Sequence, residues 1–268
     1  KNIYWIMKIS HELPLSLFPY SFGWNDYEYC LPHLLDKHAD YRQFFLDSRE
    51  RDRFIIMDNG LFEGVTHTIE DLREKIKLIE PDIFIVPDEW NNKTITAKNA
   101  KHWMQYELPE RTNLMVVMQG TTISEIHQLY HHCVDLGYTH FAFNHSSVVY
   151  HELCPTENLI ANQAVGRVLL LENMKHENLI KPHHYIHLLG CSVPQEFTHY
   201  RDNWTPGIIN SVDTSNPIIC GALGIRYNEI GLLEKPTNKI EEFMESDLED
   251  KLEDIKYNVQ RFRNLCNK

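Results

Sequence analysis

The sequence predicts an α/β fold, a (β/α)8 TIM-like barrel ending in a long C-terminal amphipathic helix, and two observations predict it. Short apolar runs rich in β-branched and aromatic residues are each followed by a polar turn and then by a stretch of helical periodicity, the pattern of parallel β/α units. Seven such runs are readable and an eighth is a candidate, the number a (β/α)8 barrel requires. A doubly wound open sheet uses the same units, and spacing alone does not separate the two. The 268 residues show no linker, repeat or low-complexity tract, so a single domain over 1–268 is expected.

In chain order the strand candidates are IYWIM (3–7), FIIM (54–57), IFIV (83–86), NLMVVM (113–118), HFAF (140–143), YIHLL (185–189) and IINSV (208–212), with IICGA (218–222) as the eighth. After FIIM, the turn DNGLFEG (58–64) leads into TIEDLREKIKLI (68–79). There Ile69, Leu72, Ile76 and Ile79 share one helical face and Pro81 follows the end. Thr122 and Glu125 have the spacing of a capping box, and Gly137 follows the last apolar turn of that helix. From 238 to 265, apolar residues from Ile240 to Leu265 recur at three- and four-residue steps, with acids early and bases late, as the helix dipole favours.

Composition narrows the function classes. With 43% hydrophobic and 24% charged residues the chain is an ordinary globular protein, and a net charge of −12 excludes nonspecific nucleic-acid binding by the whole surface. The six cysteines, Cys30, Cys133, Cys154, Cys191, Cys220 and Cys266, form no CxC or CxxC pair, which fits reduced thiols and argues against a cysteine zinc site. All apolar runs are short and KNIYWIMKIS lacks the features of a signal peptide. The expectation is therefore a cytoplasmic protein with no membrane partner.

In parallel β/α folds the residues just after each strand line the active face. Asp58, Asp88, Gln119 and Asp213 hold those positions. Three carboxylates so placed are costly unless their pKa values separate or a ligand pairs with them. Paired carboxylates suit glycosyl transfer with retention, one as nucleophile and one as general acid/base. Carboxylates with histidines could instead hold a hydrolytic metal, since the chain has 16 His. However, His131 and His132 lie within the capped helix, His183 and His184 precede a strand, and such histidines, His187 included, are more often surface or core-lining groups. No metal site is expected.

These segments resemble the guanine transglycosylase family. MDNGLFEG (57–64) is similar to its TDSGGFQ motif, VPDEW (86–90) to FDEC, VMQG (117–120) to VQG, HLLGCS (187–192) to LMGVG and SVDTSNP (211–217) to FDCVLPT, all in the same order. The resemblance spans about residues 54–217 and implies a (β/α)8 barrel. It implies that Asp213 is the nucleophile that attacks C1′ and expels guanine, and that Asp58 is the general acid/base for the leaving and entering purine. It implies that Asp88 and Gln119 read the base, and that Phe62 and Leu189 sandwich the ring beside Gly190, although for Phe62 and Leu189 simple barrel packing explains the same residues. Where the family has a glycine pair, this chain has Asn144 and His145, which would face the base. Asn210 replaces an aspartate three residues before the nucleophile, and Ile218 stands where the family has a basic residue.

The family's CxCxxC zinc subdomain is absent after Asp213, which likens the chain to the short phage-type members that insert a 7-deazaguanine into DNA. The resemblance thus implies a base-exchange enzyme with no cofactor, acting on DNA with a base such as preQ0 or preQ1 (7-cyano or 7-aminomethyl), in host cytoplasm for a phage protein. A tRNA-acting enzyme and a non-catalytic accessory subunit stay open, as does a homodimer. DNA would have to be unstacked to expose C1′. Lys93, Lys98, Lys101 and Trp103, with His199, Tyr200, Arg201 and Trp204, are candidates to hold the opened strand, the alternative being an ordinary solvated face.

Overall fold

The computed structural model describes residues 6–267. Eight short strands, β1 (Lys8–Ser10), β2 (Glu28–Cys30), β3 (Ile55–Met57), β4 (Ile83–Ile85), β5 (Asn113–Val117), β6 (His140–Asn144), β7 (Tyr185–Leu189) and β8 (Ser211–Asp213), form one sheet in the order β1-β8-β7-β6-β5-β4-β3-β2. The pairings are parallel. The helices are α1 (Ser21–Trp24), α2 (Leu34–Lys37), α3 (Ala39–Glu50), α4 (Ile69–Ile79), α5 (Lys93–Trp103), α6 (Ile123–Asp135), α7 (Tyr150–Leu153), α8 (Leu159–His176), α9 (Glu196–Asn203), α10 (Asn216–Ala222) and α11 (Leu252–Cys266). This alternation is the (β/α)8, TIM-like barrel class. Residues 27–142 form one compact unit, and residues up to 26 together with those from 143 onward form another.

In the unit 27–142 the strands β3 and β4 are apolar throughout because both their faces are covered. Ile55, Ile56, Met57, Ile83, Phe84, Ile85, Met115 and Val116 are all buried, and Trp103 of α5 packs on Phe84 at 4.8 Å between ring centroids. Asp82 ties the incoming ends of the strands: it accepts from the Ile55 amide at 2.8 Å, from Arg49 at 3.0 Å and from Arg111 at 2.9 Å. The Thr68 side chain caps α4 by accepting from the Asp71 amide at 3.1 Å, and Glu80 ends the helix in the left-handed region before Pro81. Thr122 caps α6 through the Glu125 amide at 3.2 Å. The Glu125 carboxylate reaches back to the Thr122 amide, as the expected box requires, and also accepts from the Thr121 amide at 2.7 Å.

In the other unit a single side chain organises the outgoing strand ends. Arg167, in the middle of α8, is fully buried. Its Nε and one terminal nitrogen take both oxygens of Glu196, at 2.7 and 3.0 Å. The remaining donors go to the carbonyls of Phe143 (3.3 Å), Leu189 (3.1 Å) and Gly190 (3.1 Å). All five guanidinium donors are thereby used. Tyr200 donates a further hydrogen bond to Glu196 at 2.9 Å. Burial opposes the charge on Arg167, but Glu196 more than offsets it and holds its pKa above the ordinary value. At the other end of these strands, Asn267 after α11 clasps the Met7 backbone, accepting from its amide at 2.9 Å and donating to its carbonyl at 3.1 Å.

Four expectations are corrected. IICGA is helix α10: Pro217 opens it, as proline does at a first helical turn, and an unbroken apolar run fits a buried helix as well as a strand. The eighth strand is Glu28–Cys30, hidden in the sequence because it is short and begins on a buried Glu28 paired with Arg53 at 2.8 Å. Of IYWIM, residues 3–5 lie outside the described residues and 6–7 precede β1, while IINSV is displaced to Ser211–Asp213. That second shift follows from Asn210, whose side chain accepts from the Ile186 amide at 2.7 Å. The C-terminal helix begins at Leu252, not 238. Residues 240–243 and 249–251 are 3-10 turns, and the Asp247 carboxylate accepts from the Glu249 amide at 3.1 Å, a local bond that competes with helix continuation.

Removing Arg167 leaves Glu196 buried without its partner. Arg167→Met is expected to cost about 3–5 kcal/mol in urea unfolding, and adding Glu196→Leu should recover much of that loss.

Candidate active site

In the unit 27–142, three successive strands deliver polar residues at their outgoing ends. Asp58 follows β3, Asp88 lies three residues past β4 and Gln119 two past β5, and all are buried. The Asp88 carboxylate receives two side-chain amides: Asn59 donates to Oδ1 at 2.8 Å and Gln119 to Oδ2 at 2.5 Å. Gln119 is itself oriented, since its Oε1 accepts from the Asn91 amide at 2.9 Å. Asn59 also donates to the Val86 carbonyl at 3.1 Å and accepts from the Leu61 amide at 2.8 Å, an Asx turn that shapes the loop after β3. Gly60 follows at φ +82°, where a β-carbon would be strained and would stand 3.2 Å from the His67 ring. Asp58 Oδ1 accepts from the Asn59 amide at 2.8 Å, and the Asp58 amide donates to the Cys30 carbonyl at 2.9 Å.

Burial is the main influence on Asp88. It disfavours the carboxylate more than the two amides favour it, and the carboxyl is raised to about 6. Such a group is poised for a partner that brings N–H donors. Beside it, Phe62 and Trp90 stack with centroids 6.3 Å apart and planes 30° from parallel, and the two side chains are 51% and 39% exposed. An exposed aromatic pair offers a flat ring a surface to stack on.

In the other unit Asp213 ends β8 and is buried. Its Oδ1 accepts from the Gly190 amide at 3.3 Å and lies 3.1 Å from His187 Nε2, off the line of a straight hydrogen bond. His187 Nδ1 is 2.8 Å from the Ser211 hydroxyl. Leu189, partly buried, pairs in register with Asp213 on the neighbouring strand. Gly190 has φ +66° and a β-carbon there would meet His145 at 2.5 Å, so only glycine lets the His145 ring lie on this turn. Burial, with the positive charges of Lys235 and Arg167, keeps His145 well below the ordinary imidazole pKa and hence neutral. Asn144 accepts from the Tyr150 hydroxyl through its carbonyl at 2.6 Å, while its side-chain Nδ2 is buried with no hydrogen-bond partner among the described residues.

The residues anticipated to hold an opened strand divide. Lys93 opens α5 and donates to Gln128 at 2.5 Å. Lys98 and Lys101 are exposed, about 7.5 and about 12 Å further down the helix. Arg201 is held by Asp202 at 2.9 Å and by the Asn264 carbonyl at 2.8 Å. Trp103, Tyr200 and Trp204 are buried packing groups, and His199 pairs with Glu172 at 3.0 Å. Sequence reasoning missed Asn59, Trp90 and the role of His187. The available signals were an amide directly after Asp58, an aromatic two residues past Asp88, and a histidine in the middle of a strand.

No protein-family model matches the chain, and no curated protein is significantly similar to it in sequence. Among the described residues, no group of three or more His, Cys, Asp or Glu is arranged to hold a metal ion, and no helix is long and apolar enough to cross a membrane.

Two outcomes follow for the Asp88 cluster. Asn59→Ala removes a donor to the ionised carboxyl, so Asp88 should titrate above about 6 in a carbon-13 carboxyl NMR titration, with stability lower by about 1–3 kcal/mol. A carboxyl raised in the folded state binds its proton more tightly than the unfolded chain does. Its contribution to stability is therefore full below the unfolded pKa and is lost as pH rises through about 6. Urea titrations across pH 4–7 should show a falling component of up to about 3 kcal/mol that Asp88→Asn abolishes.

Proposed function

We propose that the protein is a base-exchange glycosyltransferase that replaces guanine in DNA with a 7-deazaguanine of the preQ0 or preQ1 kind through a covalent aspartyl intermediate. The observation that carries the reading is the Asp88 carboxyl, buried and cradled by the amides of Asn59 and Gln119 beside the exposed Phe62–Trp90 stack. A guanine-like edge presents N1–H and an exocyclic amine to an acceptor-only carboxylate, and its carbonyl oxygen can accept from an amide. Binding such an edge would relieve the desolvated charge that raises Asp88. The ordered resemblance of the five strand-end segments to guanine transglycosylases supports the same assignment.

In this reading Asp213 attacks C1′ of the target nucleotide, the C1′–N9 bond breaks with its electron pair going to the purine, and Asp58 delivers the proton that releases neutral guanine. Asp58, now a carboxylate, takes the proton from N9 of the incoming 7-deazaguanine. That nitrogen then displaces Asp213 from C1′. The bonds broken and made are equivalent, so the exchange balances without an oxidant, a reductant or a nucleotide cofactor. A serine hydrolase built on Ser211, His187 and Asp213 is disfavoured, because Ser211 is completely buried inside the strand and Asp213 occupies its outgoing end.

The test is incorporation of labelled preQ0 or preQ1, with guanine release, using duplex DNA and tRNA side by side. Label is expected in DNA, and Asp213→Ala should lower the rate by about a thousandfold or more. Label in tRNA alone would overturn the choice of polymer, and label in neither with folded protein would overturn base exchange.

A further inference from the structure

We infer that His187 is a positioning residue that, with the Gly190 amide, holds Oδ1 of Asp213 and leaves Oδ2 as the attacking oxygen. The inference rests on the base-exchange reading and extends it to a residue the resemblance does not assign.

The argument begins with register. β7 and β8 run parallel with His187 opposite Ser211 and Leu189 opposite Asp213, and residues two apart on a strand project from the same face. His187, Ser211 and Asp213 therefore share one face, and His187 and Ser211 have no exposed surface. A histidine there has two ring nitrogens to satisfy. Nδ1 meets the Ser211 hydroxyl at 2.8 Å, while Nε2 lies 3.1 Å from Asp213 Oδ1 at an angle too bent for a hydrogen bond. An ionised carboxylate can only accept, so a proton on Nε2 suits Asp213, with Nδ1 left to accept from the serine hydroxyl, which also meets Tyr185. Ser211 thus holds the ring plane, and in the Nε2–H tautomer the ring aims a donor at Asp213.

Both donors fall on the same oxygen, because the Gly190 amide also reaches Oδ1, at 3.3 Å. An oxygen that bears one donor and faces a second is the poorer nucleophile, so Oδ2 attacks. When Oδ2 bonds to C1′, Oδ1 becomes the ester carbonyl oxygen and faces the same pair of donors. In the second half-reaction, C1′–Oδ2 breaks and the negative charge returns to the carboxylate, where the pair stabilises it. The bent approach of Nε2 in the free protein is one that a small rotation of the carboxylate would straighten.

The experiment combines kinetics with nitrogen NMR. In the wild-type protein, long-range proton–nitrogen spectra are expected to show His187 protonated at Nε2 and unprotonated at Nδ1, with the Nε2 signal moving in Asp213→Asn. His187→Leu should lower kcat for base exchange by about 100-fold with the KM for the incoming base changed by less than about threefold. His187→Gln, which can place an amide donor near the Nε2 position, should recover at least about tenfold of that loss. An Nδ1–H tautomer, an unchanged kcat in His187→Leu, or a glutamine variant no better than leucine would each overturn the assignment. If the wild type exchanges no base on any polymer, the functional reading fails, while the tautomer and its response to Asp213→Asn still decide whether His187 orients that carboxylate.

Discussion

A fully buried guanidinium is the constraint on which the surroundings of Asp213 depend. Arg167 has five donors in a rigid fork, and each is spent on a backbone carbonyl or an oxygen of the Glu196 carboxylate. Three of those oxygens are backbone carbonyls at the outgoing ends of β6 and β7, and the others belong to Glu196 at the start of α9. The arrangement fixes the turn at Gly190, and that turn supplies the amide that touches Asp213. A lysine could satisfy none of this geometry, since an ammonium has three donors and no fork.

The carboxylates at strand ends are held in different ways. Asp88 is gripped on both oxygens by amides and is costly to ionise. Asp213 has both its backbone donor and the His187 contact on a single oxygen. Asp58 accepts from the amide of the very next residue. In the proposed reading Asp88 reads the planar base, Asp213 attacks through the oxygen that faces neither donor, and Asp58 carries the proton. The overall charge of −12 does not draw a polyanion, and Lys93 and Arg201 already have protein partners. In the proposed reading, recognition of the opened nucleotide therefore leans on stacking and on the base edge more than on the field of the whole molecule.

What the sequence revealed followed from burial on both faces. YIHLL is a strand over its whole predicted length, and the central strands from FIIM to HFAF stand within a residue or so of their expected bounds, because parallel strands with covered faces are uninterrupted apolar runs. The same physics misled at IICGA, where a buried helix is equally apolar, and at EYC, where a strand opens on a buried glutamate. Asp58, Asp88, Gln119 and Asp213 were legible because strand ends are the fixed address of polar groups in this fold. The link from Asn59 to Asp88, the stacking of Trp90 on Phe62 and the contact of His187 with Asp213 were not. They depend on which side chains meet across strands distant in sequence, and no local periodicity encodes that.

The central claim is that Asp213 becomes covalently attached to the nucleotide. The most direct measurement is to react the protein with a guanine-containing duplex, denature it, and map any protein–DNA adduct by mass spectrometry of its peptides. The account predicts an adduct on the peptide carrying Asp213, formed as guanine is released and discharged when preQ0 or preQ1 is added. Base release with no adduct, or an adduct on another residue, would contradict it.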